Sequence, residues 1–130
     1  TTRRGIAPKR LVMLFGAGGD RDRKKRPIMG KLSADIADFV IVTSDNPRTE
    51  DPMSIIEEIL PGVRAGKAPY KVICDRPEAI RWAIDHHEPG DVILLCGKGH
   101  EDYQIIGHEK IHMDEREIVA DYLAERAKRT

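Results

Sequence analysis

Leu11-Val12-Met13-Leu14-Phe15-Gly16-Ala17-Gly18-Gly19 is an unbroken apolar run that ends in a glycine-rich turn. Continuous rather than alternating apolar residues mark a strand covered on both faces, and such strands belong to parallel sheets flanked by helices. Three more short runs share the pattern: Phe39-Val40-Ile41-Val42, Lys71-Val72-Ile73-Cys74 and Val92-Ile93-Leu94-Leu95-Cys96. Between them the period changes. Pro27 precedes a helical stretch from Ile28 to Ala37, Pro52 one from Met53 to Leu60, and Pro77 one from Glu78 to His86. Proline costs nothing at a helix start, where its missing amide has no intrahelical partner. Ile55, Ile56, Ile59 and Leu60 share one face of the second helix, and Ile80, Ala83 and Ile84 one face of the third.

Strand alternating with helix predicts βαβ units: an α/β fold with a doubly wound, mostly parallel sheet and right-handed crossovers. Beyond Cys96 the pattern shifts. Tyr103-Gln104-Ile105-Ile106, then Gly107-His108, then Glu109-Lys110-Ile111-His112 predicts an antiparallel edge or hairpin near the C-terminus. A last helix from about Asp114 turns Ile118, Val119, Tyr122 and Leu123 inward.

The 130 residues suffice for one compact domain, 1–130, and no repeat or linker divides them. Lys and Arg number 22 and Asp and Glu 22, so the chain lacks the positive field of a nucleic-acid or anionic-membrane binder. No apolar run approaches the ~20 residues of a membrane span, and Thr1-Thr2-Arg3-Arg4 opens without a secretory signal's apolar stretch. Neither nucleic acid nor a membrane is an expected partner. Cys74 and Cys96 lie in apolar runs rather than a spaced framework, which predicts buried thiols and a cytoplasmic setting.

In a parallel sheet every strand's carboxyl end faces one edge, and ligands of open α/β folds bind in the crevice there. The loops at that edge are polar: Gly16 to Arg23 after the first strand, Thr43 to Arg48 after the second, Gly97 to Asp102 after the fourth. The opposite edge has plainer joints, such as Ala37-Asp38 and Pro89-Gly90-Asp91. The third glycine of a G-x-G-x-x-G fingerprint would fall on Arg21, and no G-x-x-x-x-G-K-[ST] loop occurs. The glycines then serve either a tight strand-to-helix turn or the close approach of an anion.

Asp45-Asn46-Pro47-Arg48 is more specific. Pro47 holds Asn46 extended, Asp45 can orient the loop, and the planar fork of Arg48 suits a carboxylate. The plainer alternative is an Asn-Pro turn with Arg48 in a surface ion pair. Glu101 could receive an ammonium group or cap a turn. An arginine and a glutamate on neighbouring loops together suit an amino-acid head group. His100, His108 and His112 lack paired metal-ligand spacing, so no metal site is expected. The basic run Arg21 to Arg26 has acidic neighbours and no stacking aromatics, which favours a solvated helix start or a local anion contact. Cys96 has no base beside it to make it a nucleophile.

Gly18-Gly19-Asp20-Arg21-Asp22, Lys25-Arg26-Pro27-Ile28-Met29-Gly30, Asp45-Asn46-Pro47-Arg48 and Gly97-Lys98-Gly99-His100-Glu101 together resemble the C-terminal domain of the Mur ligases of bacterial peptidoglycan synthesis. The resemblance runs from about Arg10 to Ala124 and points to the tripeptide-forming branch. It implies a Rossmann-like domain that recognises the incoming amino acid, meso-diaminopimelate, for ATP-dependent addition to UDP-MurNAc-L-Ala-D-Glu. ATP and magnesium are, on this resemblance, cofactors held mainly by a central domain that these residues do not include, with none bound by this piece. Carried over by motif, Arg48 would grip the distal carboxylate of diaminopimelate, with Asn46 holding the head group and Asp45 and Pro47 shaping the loop. Arg21 would add a carboxylate contact, Gly97 backbone polarity, and Glu101 an acceptor for the ammonium. None is implied to be catalytic. Lys24 and the stretch Ile111 to Arg116 depart from the family pattern. A lysine- or glutamate-adding relative, and a freestanding nucleotide- or anion-binding module, are the alternatives.

Overall fold

A computed structural model describes residues 10–19, 23–47, 49–96, 103–106 and 109–129. Strand and helix alternate as β1 (Arg10–Phe15), α1 (Lys25–Ile36), β2 (Phe39–Val42), α2 (Pro52–Ala65), β3 (Tyr70–Val72), α3 (Arg76–Asp85) and β4 (Asp91–Leu95). β5 (Tyr103–Ile106), β6 (Glu109–His112) and α4 (Glu115–Arg129) follow. The four strands β3-β2-β1-β4 form one all-parallel sheet. β5 and β6 pair antiparallel in a two-stranded sheet of their own, so the C-terminal feature is a hairpin, not an antiparallel edge joined to the main sheet. The strand order reverses at β1, which puts the ligand crevice of an open α/β sheet beside its carboxyl end.

The pleat divides the core in two. Phe15, Val40 and Val42 pack with Ile55, Ile56, Ile59, Leu60 and Val63 of α2 and Ala34 of α1. Val12, Leu14 and Ile41 turn to the other face, against Ala79, Ile80, Ala83 and Ile84 of α3 and Tyr122 of α4. β1 and β2 are therefore covered on both sides, as their unbroken apolar runs require. β4 is not: Val92 and Leu94 are exposed, because α1 and α2 lie over β1 and β2 and leave the edge strand bare on that side. Leu123 of α4, expected inward, is also exposed.

α2 continues through Pro61 to Ala65 rather than stopping at Leu60. The lost backbone bond is offset by burial of Gly62 and Val63. A Cβ on Gly62 would sit 1.7 Å from the Pro27 carbonyl oxygen, so glycine is what lets α1 and α2 cross at backbone contact. α1 starts at Lys25, which places Pro27 within its first turn. Its buried face is Arg26, Gly30 and Ala34, four residues apart, while Ile28, Leu32 and Ile36 are exposed. At Gly30, where a Cβ would lie 2.5 Å from the Ile59 carbonyl oxygen, the crossing has no room for a side chain.

Candidate functional site

The amino edge of the sheet is filled by its own side chains. Arg10 donates from Nη2 to Asp91 Oδ2 at 2.8 Å, and Phe39, Trp82 and His86 stack in series with centroid separations of 5.8 and 4.1 Å. The carboxyl edge instead gathers backbone. Parallel pairing carries past the strand ends: the Thr43 amide donates to the Phe15 carbonyl at 2.9 Å, the Ser44 amide to Cys74 at 3.3 Å, and the Cys96 amide to Leu14 at 2.8 Å. Thr43 Oγ1 also donates to the Cys74 carbonyl at 3.2 Å.

The segment Asp45-Asn46-Pro47 leaves β2 into this frame, with Asn46 and Pro47 buried. The Gly19 amide donates to the Asn46 carbonyl at 2.6 Å. A Cβ at Gly19 would lie 1.8 Å from the Pro47 carbonyl oxygen, so that glycine exists for the approach of the second loop. The glycine-loop choice between a tight turn and an anion cradle thus resolves, at Gly19, into a loop-to-loop contact. Asp45, Asn46 and Pro47 are brought together with the first loop as one unit. Arg21, Arg48, Gly97 and Glu101 lie outside the described residues, as do His100 and His108.

Two buried arginines to which the sequence reading gave no role support this edge, Arg26 from the Lys25 to Gly30 motif and Arg76 from outside the motifs. Arg26 is 1% exposed and pairs both Nη atoms with the Glu50 carboxylate at 3.0 and 2.8 Å. Its Nη2 also donates to the Gly18 carbonyl at 3.0 Å, and Nη1 to Glu58 at 3.2 Å. One guanidinium therefore holds the first loop against the residues that follow the D-N-P segment. The bond to Glu50 outweighs burial and keeps Arg26 more firmly protonated than usual. Hydrogen bonds from Arg23, reinforced by Arg26, hold the Glu58 carboxyl below the usual carboxylate range. The expected solvated helix start is therefore a buried ion pair at Arg26. The missed signal was its spacing from Gly30 and Ala34 along the closed face of α1.

Arg76 is fully buried at the first position of α3. Its Nε donates to Glu115 Oε2 at 2.6 Å, Nη1 to the Ser44 carbonyl at 3.1 Å, and Nη2 to the Cys96 carbonyl at 2.7 Å. Cys74 and Cys96, expected to be buried, are half-buried, and their burial pushes both thiols up from the ordinary cysteine range. The edge can bind and orient a polar ligand. The groove of about 380 Å³ between α1 and α2, lined by Pro27, Ile28, Lys31, Leu32, Pro61 and Gly62, is apolar and lies off this edge.

Comparison with known proteins agrees with this architecture. Residues 1–99 match the family described as Mur ligase, glutamate ligase domain. Among curated relatives, the chain is 57% identical over 125 residues to the UDP-N-acetylmuramoyl-L-alanyl-D-glutamate--2,6-diaminopimelate ligase of Trichormus variabilis, covering 96% of this chain and 25% of that one. It is 56% identical over 119 residues to the ligase of the same name from Caldanaerobacter subterraneus subsp. tengcongensis, covering 92% and 25%. A solved structure of an enzyme with that name superposes with a TM-score of 0.86 at 39% identity, over 95% of this chain and 25% of that one. The chain spans about a quarter of the length of the curated relatives it matches. It belongs to the Mur ligase family, in the part described as the glutamate ligase domain.

Proposed function

We propose that this chain, as one domain over residues 1–130, is the amino-acid-recognising part of an ATP-dependent ligase that joins meso-diaminopimelate to UDP-MurNAc-L-Ala-D-Glu in cytoplasmic peptidoglycan precursor synthesis. The observation that carries the reading is Asp45-Asn46-Pro47 at the carboxyl end of β2, locked to the first loop through Gly19, in a chain so close to ligases of that name. ATP with magnesium would activate the acceptor's carboxylate, and the glycine loop of this domain is not shaped as a cradle for its phosphates. No G-x-x-x-x-G-K-[ST] loop is present, and the open side of Gly19 meets the Pro47 carbonyl oxygen, which repels phosphate. In this reading the phosphates are held mainly by the remainder of the ligase, and this domain selects and holds the incoming amine. Among the described residues no helix is long and apolar enough to cross a membrane.

In this reading Arg48 and Arg21 take the carboxylates of diaminopimelate, Asn46 and the Gly97 backbone hold its head group, and Glu101 takes its ammonium. Lysine has the side-chain amine without the distal carboxylate, so it leaves Arg48 unpaired. A lost charged hydrogen bond costs about 1.5–3 kcal/mol, and more when a charge is stranded. Two such contacts amount to about a thousandfold selectivity. The test is ATP-dependent tripeptide formation by the full-length ligase with meso-diaminopimelate and with L-lysine at equal concentration. Strong preference for diaminopimelate is the expected result. Equal or better use of lysine would overturn the reading.

A further inference from the structure

Arg76 does something that its position on α3 does not call for. The amino end of a helix carries partial positive charge, so a cation in the first turn is unfavourable there. Burying that cation adds a desolvation cost, and a well-packed apolar residue would often serve stability as well or better. The compensation lies in what the guanidinium touches. Its Nη1 reaches the Ser44 carbonyl at 3.1 Å, the peptide unit that leads into Asp45. Its Nη2 reaches the Cys96 carbonyl at 2.7 Å, the last peptide unit before Gly97. Nε closes the fork on Glu115 Oε2 at 2.6 Å, in the first turn of α4. Three segments far apart in the chain therefore meet on one planar group. A planar fork fixes both distance and direction between its acceptors, which a lysine ammonium on a flexible stem does not.

We propose that Arg76 is a positioning residue for amino-acid selection: it sets the spacing between the Ser44 peptide unit that follows β2 and the Cys96 peptide unit that follows β4, the two chain ends from which the proposed diaminopimelate contacts depart. The assignment rests on the function proposed above. It requires no contact between Arg76 and the substrate. Because carboxylate recognition needs donors held within a fraction of an ångström, a small change in that spacing weakens diaminopimelate binding while leaving the other substrates' sites intact.

The experiment measures steady-state kinetics of the full-length ligase with Arg76→Lys, varying meso-diaminopimelate, ATP and the UDP-linked acceptor in turn. A positioning role is expected to raise KM for diaminopimelate by about tenfold or more while KM for ATP and acceptor stays within about twofold. A merely structural role would lower kcat through loss of folded enzyme and leave all three KM values unchanged. Arg76→Gln combined with Glu115→Gln gives a second route, since removing both charges strands neither in the core. The same selective rise in KM is expected. Diaminopimelate KM values near those of the unsubstituted ligase in both folded variants would overturn the assignment of Arg76 alone. So would failure of both variants to fold, because the residue would then be indispensable to the fold itself. An unsubstituted ligase that does not use meso-diaminopimelate overturns the proposed function and this inference with it.

Discussion

An arginine and a lysine carry the same charge and present it differently, which makes position 48 the most informative in the D-N-P-R segment. Replacing Arg48 by Lys in the full-length ligase keeps the cation and removes the bidentate fork. The expected loss in kcat/KM for meso-diaminopimelate is about tenfold to a hundredfold, with the acceptor's KM little changed. Steady-state rates measure it, and near-normal values would show that the distal carboxylate is read elsewhere. The turn at Asn46-Pro47 was legible in the chain because its chemistry is local: a proline fixes its neighbour's backbone. Arg26 and Arg76 were not legible in the same way. Both stand near runs of charge or at a helix start, where solvation is the ordinary expectation. Only the fold reveals that each is buried among carbonyl oxygens and carboxylates contributed by distant segments.

The helices show a similar division. α2 and α3 bury the apolar faces that their periodicity marks. α1 does the reverse, with Ile28, Leu32 and Ile36 at 57–64% exposure and Arg26, Gly30 and Ala34 inside. Backbone contact between α1 and α2 at Gly30 and Gly62 decides this, because bulky residues at those two points would push the helices apart. Gly62→Ala is therefore expected to destabilise the domain by about 1–3 kcal/mol or more, as overpacking does. Leu32→Gln, at a position a helical wheel would assign to the core, is expected to change stability by less than about 0.5 kcal/mol. Thermal or urea melts of the two variants compare them directly. A large loss at Leu32 with none at Gly62 would reverse the assignment of faces. β4 carries the same lesson in a strand: Val92 and Leu94 read as core, yet an edge strand is covered only where a helix reaches it.

Across the molecule, the two edges of the sheet are built for different purposes. The amino edge is closed by Arg10, Asp91 and the Phe39, Trp82, His86 stack, whereas the carboxyl edge gathers hydrogen-bonded loop backbone, where the proposed function places the ligand. Hydrogen bonds from Arg10, and then from the Glu88 amide, hold the Asp91 carboxyl below the usual aspartate range against the opposing cost of burial. A lowered native pKa contributes stability above the unfolded value, near pH 4, and that contribution is lost as pH falls through the native one. Asp91→Asn should accordingly melt below the unsubstituted protein at pH 7, and the gap should narrow as the pH approaches 3. A gap equally wide at both pH values would contradict the ion pair's contribution. The order of strands and helices, the parallel sheet and the polar loops at one edge followed from the sequence alone, since continuous apolar runs, helical periods and proline positions act over a few neighbouring residues. Tertiary structure decided which face of α1 is buried, which strand is bare, and which arginines leave solvent. Those outcomes depend on how closely two backbones approach and on which distant carbonyls need a donor, and neither quantity is written in any one stretch of the chain.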